Sequence, residues 1–205
     1  MVIIAILVVL NVLVFIAWQM VSSEMQFNFM AENFLVSWNA LVQGRPWTLI
    51  TSVFSHNAFY HILLNMIALI SFGRIMVKVL GKKKFIIFYL IAGIVGSLVH
   101  SLVSLTLIGD PSLNALGASG AICGVILLFS LIFPLEKILI MGIIPIRSIW
   151  GALLLVGLDI WGVIAQSHGG GFSIGHGAHL GGAMVGVVYY FILRSKVPST
   201  DNLME

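Results

Sequence analysis

Ser119 stands in Gly117-Ala118-Ser119-Gly120-Ala121-Ile122-Cys123-Gly124, a hydroxyl among small residues at the head of a long apolar run, and His179 stands in Ala178-His179-Leu180-Gly181-Gly182. A serine beside a histidine can perform nucleophilic acyl transfer: the imidazole takes the hydroxyl proton and later gives it to the leaving amine. The tetrahedral oxyanion of that reaction needs donors aimed at it. His61 and Asn65 are four residues apart, hence on one face of a helix, and both can donate. A third donor is the Ser119 N–H, at a helix N-terminus whose dipole favours anions. His176, three residues before His179, is the rival base. The acidic place of a triad has no evident occupant: Asp159 can be anything from a helix-packing group to a distant partner, so a Ser119–His179 dyad is expected. His56 is read as bracing the polar loop that follows the first span, and Cys123, one turn after Ser119, as a packing residue.

Two other chemistries compete. His56, His61, His168, His176 and His179 could supply imidazoles to zinc, but no H-E-x-x-H occurs and no carboxylate adjoins them in sequence, so no metal and no cofactor is expected. Gly169-Gly170-Gly171 has no lysine after it and no strand before it, which favours a lid hinge over a phosphate cradle.

The elements that must hold these groups are membrane helices. With 205 residues, 60% hydrophobic and only 8% charged, and a mean hydropathy of +1.13, the chain lacks the charge that a water-facing surface requires. An all-α, polytopic bundle of six transmembrane helices in one domain is predicted, with spans at about 1–20, 52–73, 85–107, 116–133, 148–165 and 176–193. The first run has neither a charged n-region nor a small-x-small site, so a spanning helix is preferred to a cleaved signal peptide. The stretch from Val21 to Thr51, polar but rich in Trp and Phe, is expected to lie in the interface. No soluble appendage is expected, and the single cysteine excludes an intrachain disulfide. The net charge of +3 does not indicate a nucleic-acid partner, because the basic residues sit beside apolar runs. Nine of the ten Lys and Arg fall on one side of the six spans, with Arg45 alone on the other. The positive-inside rule then puts both termini in the cytoplasm, and the plasma membrane is the expected location.

Depth ties the candidates together. Ser119 lies 15 residues before Pro134 and His179 lies 15 before Arg194, each about 22 Å from the basic face. Asn65 and His61 lie 13 and 17 residues before Lys78, at about 20 and 25 Å. Polar residues are costly there, so their coincidence on three helices marks a functional level. Ser119 would open a helix that begins inside the membrane, and the non-helical approach from Asp110 to Gly117 then demands burial in protein or a water-filled cavity. Gly120 and Gly124 on the fourth helix, and Gly182 and Gly186 on the sixth, are spaced to let two backbones meet.

The chain resembles the rhomboid intramembrane serine proteases. Gly117-Ala118-Ser119-Gly120 matches the family's G-x-S-G, Ala178-His179-Leu180-Gly181-Gly182 its A-H-x-G-G, and His56, His61 and Asn65 its H-x4-H-x3-N, in order across the chain. One departure is Arg45-Pro46-Trp47, where the first loop of the family often carries Trp-Arg. The resemblance implies Ser119 as nucleophile, His179 as base, and His61 with Asn65 lining the oxyanion hole. It also implies single-pass transmembrane proteins as substrates, reaching the site from the lipid bilayer past the second and fifth helices. The rival class is a non-proteolytic binding protein or transporter of the same fold. Intramembrane polar residues also mark transport sites, but no inverted repeat relates the two halves of the sequence.

Overall fold

The computed structural model describes residues 2–140, 143–172 and 174–194. Lys196, counted above among the basic residues, lies outside the described residues. The chain opens with helix α1 (Val2–Gln19) and then runs through three short helices: α2 (Glu24–Phe34), α3 (Trp38–Val42) and α4 (Thr48–Thr51). Serines start the first two of these, Ser23 accepting from the Gln26 N–H and Ser37 from the Ala40 N–H, as N-caps do. A 3-10 turn (Ser52–Phe54) leads into α5 (Phe59–Leu80), and Gly81 alone separates α5 from α6 (Lys82–Val103). Gly81 has φ +77°, a conformation open to glycine that stops one helix and redirects the chain into the next. After a π-helical turn (Ser104–Ile108) and an irregular segment come α7 (Ser119–Ile132), β1 (Lys137–Ile140), β2 (Ile144–Arg147), α8 (Ser148–Ser167) and α9 (His176–Leu193).

The architecture is an all-α polytopic bundle. Helices α1, α5, α6, α8 and α9 are each long and apolar enough to cross a membrane, and large side chains such as Leu153, Leu158, Trp161 and Ile164 of α8 face outward, as lipid contact requires. Helix α7 differs. Its 14 residues reach about 21 Å, less than the hydrocarbon thickness, yet eleven of them are buried. A helix enclosed by protein exposes no backbone end to lipid, so α7 can begin below the membrane surface at no hydrogen-bonding cost.

Two boundaries differ from the hydropathy reading for physical reasons. The second span, expected at 52–73, is Phe59–Leu80. Val53 is apolar because it is buried against α6, where its methyls lie 2.8 and 2.9 Å from where a Gly93 Cβ would stand. The helix continues past Arg74 to Lys78 because basic side chains in a last turn suit the dipole and extend toward water. Between α7 and α8 lies an antiparallel hairpin, in which Ile138 pairs with Ile146 and both pack on Gly151 of α8.

Helix α9 is held by backbone contact on two sides. A Cβ on Gly182 would overlap the Gly120 carbonyl oxygen, and one on Gly186 would lie 2.6 Å from the Gly124 oxygen, so the α7–α9 seam uses the glycine faces expected from the sequence. On its other side Gly181 faces Gly96 of α6, its missing Cβ 2.9 Å from the Gly96 Cα. Ser119 and His179 therefore stand on the most closely apposed helices of the core.

Candidate active site

The irregular segment before α7 is delivered to depth by hydrogen bonds to the first loop. Val36 and Ala115 exchange both N–H···O bonds, at 3.0 and 2.8 Å, Asn39 N–H donates to Pro111 O, and Gly117 N–H donates to Ser52 O at 2.8 Å. His100 of α6 adds a contact of 3.1 Å from Nε2 to the Leu113 carbonyl. These partners satisfy non-helical backbone where lipid could not.

Above the start of α7 opens a cavity of about 820 Å³, lined by His61, Ser119 and His179, with Leu64, Phe172 and Ile174 among its apolar walls. Its cover is the glycine-rich connection from α8 to α9, which Gln166 pins by donating to the carbonyls of Phe172 and Ile174 at 2.7 and 2.9 Å. The cavity meets the demand for solvent access raised by a serine inside the bilayer.

Within it His179 Nε2 lies 2.8 Å from Ser119 Oγ. His179 Nδ1 lies 2.9 Å from Oδ1 of Asp159 on α8, and the same oxygen is 2.7 Å from Nδ1 of His176. Of the two histidines weighed as base, His179 contacts the serine and His176 contacts the acid. Sequence reasoning had left Asp159 unassigned. Its distance of 12 residues from Arg147, about 18 Å, already put it near the depth of His179, but depth says nothing about which way α8 faces.

His61 lines the cavity wall. Asn65 is buried one turn along α5, outside the lining of the cavity, with its side-chain N–H on the carbonyl of His61 at 2.8 Å, which leaves the second amide hydrogen without a partner among the described residues. The Ser119 N–H belongs to the first turn of α7, whose leading N–H groups have no acceptor within the helix.

His56 does not brace the first loop as expected. It is fully buried, accepts the Ala118 N–H at Nε2 (3.4 Å), and packs edge-on against His61, with ring centroids 4.8 Å apart. Burial first, and then the nearby charge of His61, push His56 down to about 3, so it remains the neutral acceptor that this contact requires.

Gly117 completes the turn at φ +120°, and a Cβ there would sit 2.6 Å from the His61 ring. Gly117→Ala is therefore expected to strain the turn by about 1–3 kcal/mol and to push His61 out of place. The acyl transfer that such a serine–histidine pair would support should fall at least about tenfold in this variant, the scale of a misaligned oxyanion donor. Kinetics of the purified variant check this, and unchanged turnover would count against His61 as an aligned donor.

Among the described residues, the group of His, Cys, Asp and Glu side chains close enough to share an ion is Cys123, Asp159 and His179, with ligand atoms within 4.8 Å of one another. It contains one of the five histidines considered for zinc. Both nitrogens of His179 are already engaged, by Asp159 and by Ser119.

Comparison with known proteins agrees with this architecture. Residues 43–196 match the family model described as the Rhomboid domain. RHOMBOID-like protein 12, mitochondrial, of Arabidopsis thaliana is 32% identical over 92% of this chain and 57% of its own length. Rhomboid protein 1, mitochondrial, of Saccharomyces cerevisiae is 38% identical over 73% of this chain and 42% of its own. Presenilin-associated rhomboid-like protein, mitochondrial, of Homo sapiens is 33% identical over 87% and 45%. The chain spans about half the length of these curated relatives. Their names overturn the expected plasma-membrane location with cytoplasmic termini: these relatives are organellar, and the Lys and Arg bias gives only the relative sidedness of the helices, without naming the compartment. What stands is a multi-pass membrane protein whose Gly-x-Ser-Gly turn, glycine-packed α7–α9 seam and domain match agree, and the chain belongs to the rhomboid family.

Proposed function

We propose that this chain is an intramembrane serine endopeptidase that cleaves single-pass transmembrane proteins near the membrane face opposite the basic loops. One observation carries the proposal: the 2.8 Å contact between His179 Nε2 and Ser119 Oγ at the floor of an open cavity. In the reaction, His179 Nε2 takes the hydroxyl proton as Ser119 Oγ bonds to the scissile carbonyl carbon. The oxyanion is met by the Ser119 N–H, His61 and the free amide hydrogen of Asn65. His179 then protonates the leaving amine, the C–N bond breaks, and water from the cavity hydrolyses the acyl-enzyme with His179 again as base. Substrates approach from the bilayer past α5 and α8. A helical peptide bond is shielded from attack, so substrates are expected to carry small or helix-breaking residues at the cleaved site. Organellar location, read from the relatives, is part of the same proposal.

The test is covalent labelling. A fluorophosphonate is expected to modify the purified wild-type chain at Ser119, located by peptide mapping, and to do so far more slowly in His179→Ala than in His176→Ala. No modification of Ser119, in a preparation whose cavity is intact, would favour a binding protein or transporter of the same fold. Faster loss in His176→Ala would reverse the assignment of the base.

A further inference from the structure

Asp159 is a carboxylate with 4% exposure in the core of a membrane protein, where an unpaired charge is untenable. Among the described residues both of its polar contacts converge on one oxygen, and both come from ring nitrogens of α9: His179 Nδ1 at 2.9 Å and His176 Nδ1 at 2.7 Å. A carboxylate only accepts, so each imidazole carries its proton on Nδ1. That fixes the chemistry at the far side of His179. With Nδ1 protonated, the neutral ring presents the Nε2 lone pair to Ser119 Oγ, which is the state a general base needs. The opposite tautomer would aim an N–H at the serine and accept nothing.

His176 makes sense only with Asp159. Its Nε2 is buried without a partner among the described residues, so its polar role is confined to Nδ1. Its ring occupies the space that a Cβ on Gly162 would fill, one turn beyond Asp159 on α8. The glycine admits the imidazole, and the imidazole reaches the acid from the turn before His179.

We propose that Asp159 is the positioning carboxylate of this site, holding His179 in the tautomer and orientation that let Nε2 serve as base, and that His176 anchors Asp159 in that role. The proposal rests on the serine-protease reading and extends the expected dyad to a relay crossing α7, α9 and α8. Because its acid is on α8, catalytic competence depends on α8 staying docked against α9. The other titratable groups facing the pair are His61 on α5, His100 on α6 and Cys123 on α7.

The test uses the full chain in detergent with a transmembrane peptide substrate, measuring kcat and KM from acid to neutral pH beside thermal stability. Asp159→Asn keeps the shape but removes the charge, and its amide can donate to Nδ1, selecting the wrong tautomer. It is expected to lower kcat by about 10- to 1,000-fold with KM within about threefold, and to move the acid limb of kcat/KM, which a merely structural role would leave in place. Asp159→Glu should recover part of kcat. His176→Phe fills the same space against Gly162 and leaves Asp159 to His179 alone, so its acid limb should also move.

Asp159→Asn with kcat within twofold and an unmoved acid limb overturns the proposal, and so does a loss accompanied only by lower thermal stability with the limb unmoved. Should Asp159→Asn fail to fold, His176→Phe decides: a shifted limb supports the relay and an unshifted one overturns it. A wild-type chain that neither cleaves nor takes the fluorophosphonate sinks the serine reading and this proposal together. Cleavage that is lost in Ser119→Ala yet undiminished in Asp159→Asn sinks the proposal alone.

Discussion

Ser119→Ala is expected to yield a folded chain whose cleavage of a transmembrane substrate is slower by on the order of 10⁴-fold or more. In the proposed mechanism no second nucleophile among the described residues is in reach of the base. Cys123, one turn further along α7, is buried, and His179 Nε2 points to Ser119 Oγ. The fold should tolerate the change because Ser119 is only half-buried and its hydroxyl bonds to His179, so the loss is one hydrogen bond of about 1 kcal/mol. Alanine also suits the first turn of a helix by propensity. Thermal stability should therefore stay within a few degrees of wild type, as about 1 kcal/mol implies for a chain of this size, while fluorophosphonate labelling disappears. Cleavage persisting at the wild-type rate in this variant would end the serine mechanism, whatever else the cavity does.

The parts of this site that sequence could reveal were those fixed by distance along a helix axis. Residue counts from the basic ends put Ser119, His179, His61 and Asn65 at one level, and three of these four line one cavity. Glycine spacing likewise identified the faces of α7 and α9 that meet. Azimuth is what a count along an axis omits. Asp159 lay within a turn of the right depth, but α8 is apolar nearly all round, so no polar stripe told which way the carboxylate faced. Gly162 held the missing signal, since a glycine one turn from a buried acid marks where another side chain lies against the backbone.

Burial in irregular structure was the second blind spot. Val53 and Phe54 read as the start of a span because hydropathy cannot separate lipid contact from protein contact. His56 read as part of the first loop because its acceptor role needs the Ala118 N–H, 62 residues away, to arrive beside it. The same limit hid the length of α7: an apolar run says that a helix can cross lipid, whereas only the surrounding helices decide whether it must.

Gly182→Ala is the stability change with the largest expected effect, and it tests the seam on which the site depends. The added methyl would overlap the Gly120 carbonyl oxygen, with the Gly120 carbonyl carbon 2.6 Å away. Backbone on a buried helix cannot step aside as a flexible side chain can, so α7 and α9 must separate. Overpacking of this kind costs about 3 kcal/mol or more, and separation would also open the 2.8 Å contact between Ser119 and His179 on the same two helices. The variant is expected to melt at a markedly lower temperature and, where it folds, to label slowly at Ser119. Gly157→Ala is the matched control: on α8, it has open space where the methyl would go. Alanine there should stabilise the helix by about 0.5–1 kcal/mol through propensity alone. Heating both variants in detergent and following the folded fraction separates the two cases. Equal melting of Gly182→Ala and wild type would show that α7 and α9 do not meet backbone to backbone, and the alignment of Ser119 with His179 would then need another cause.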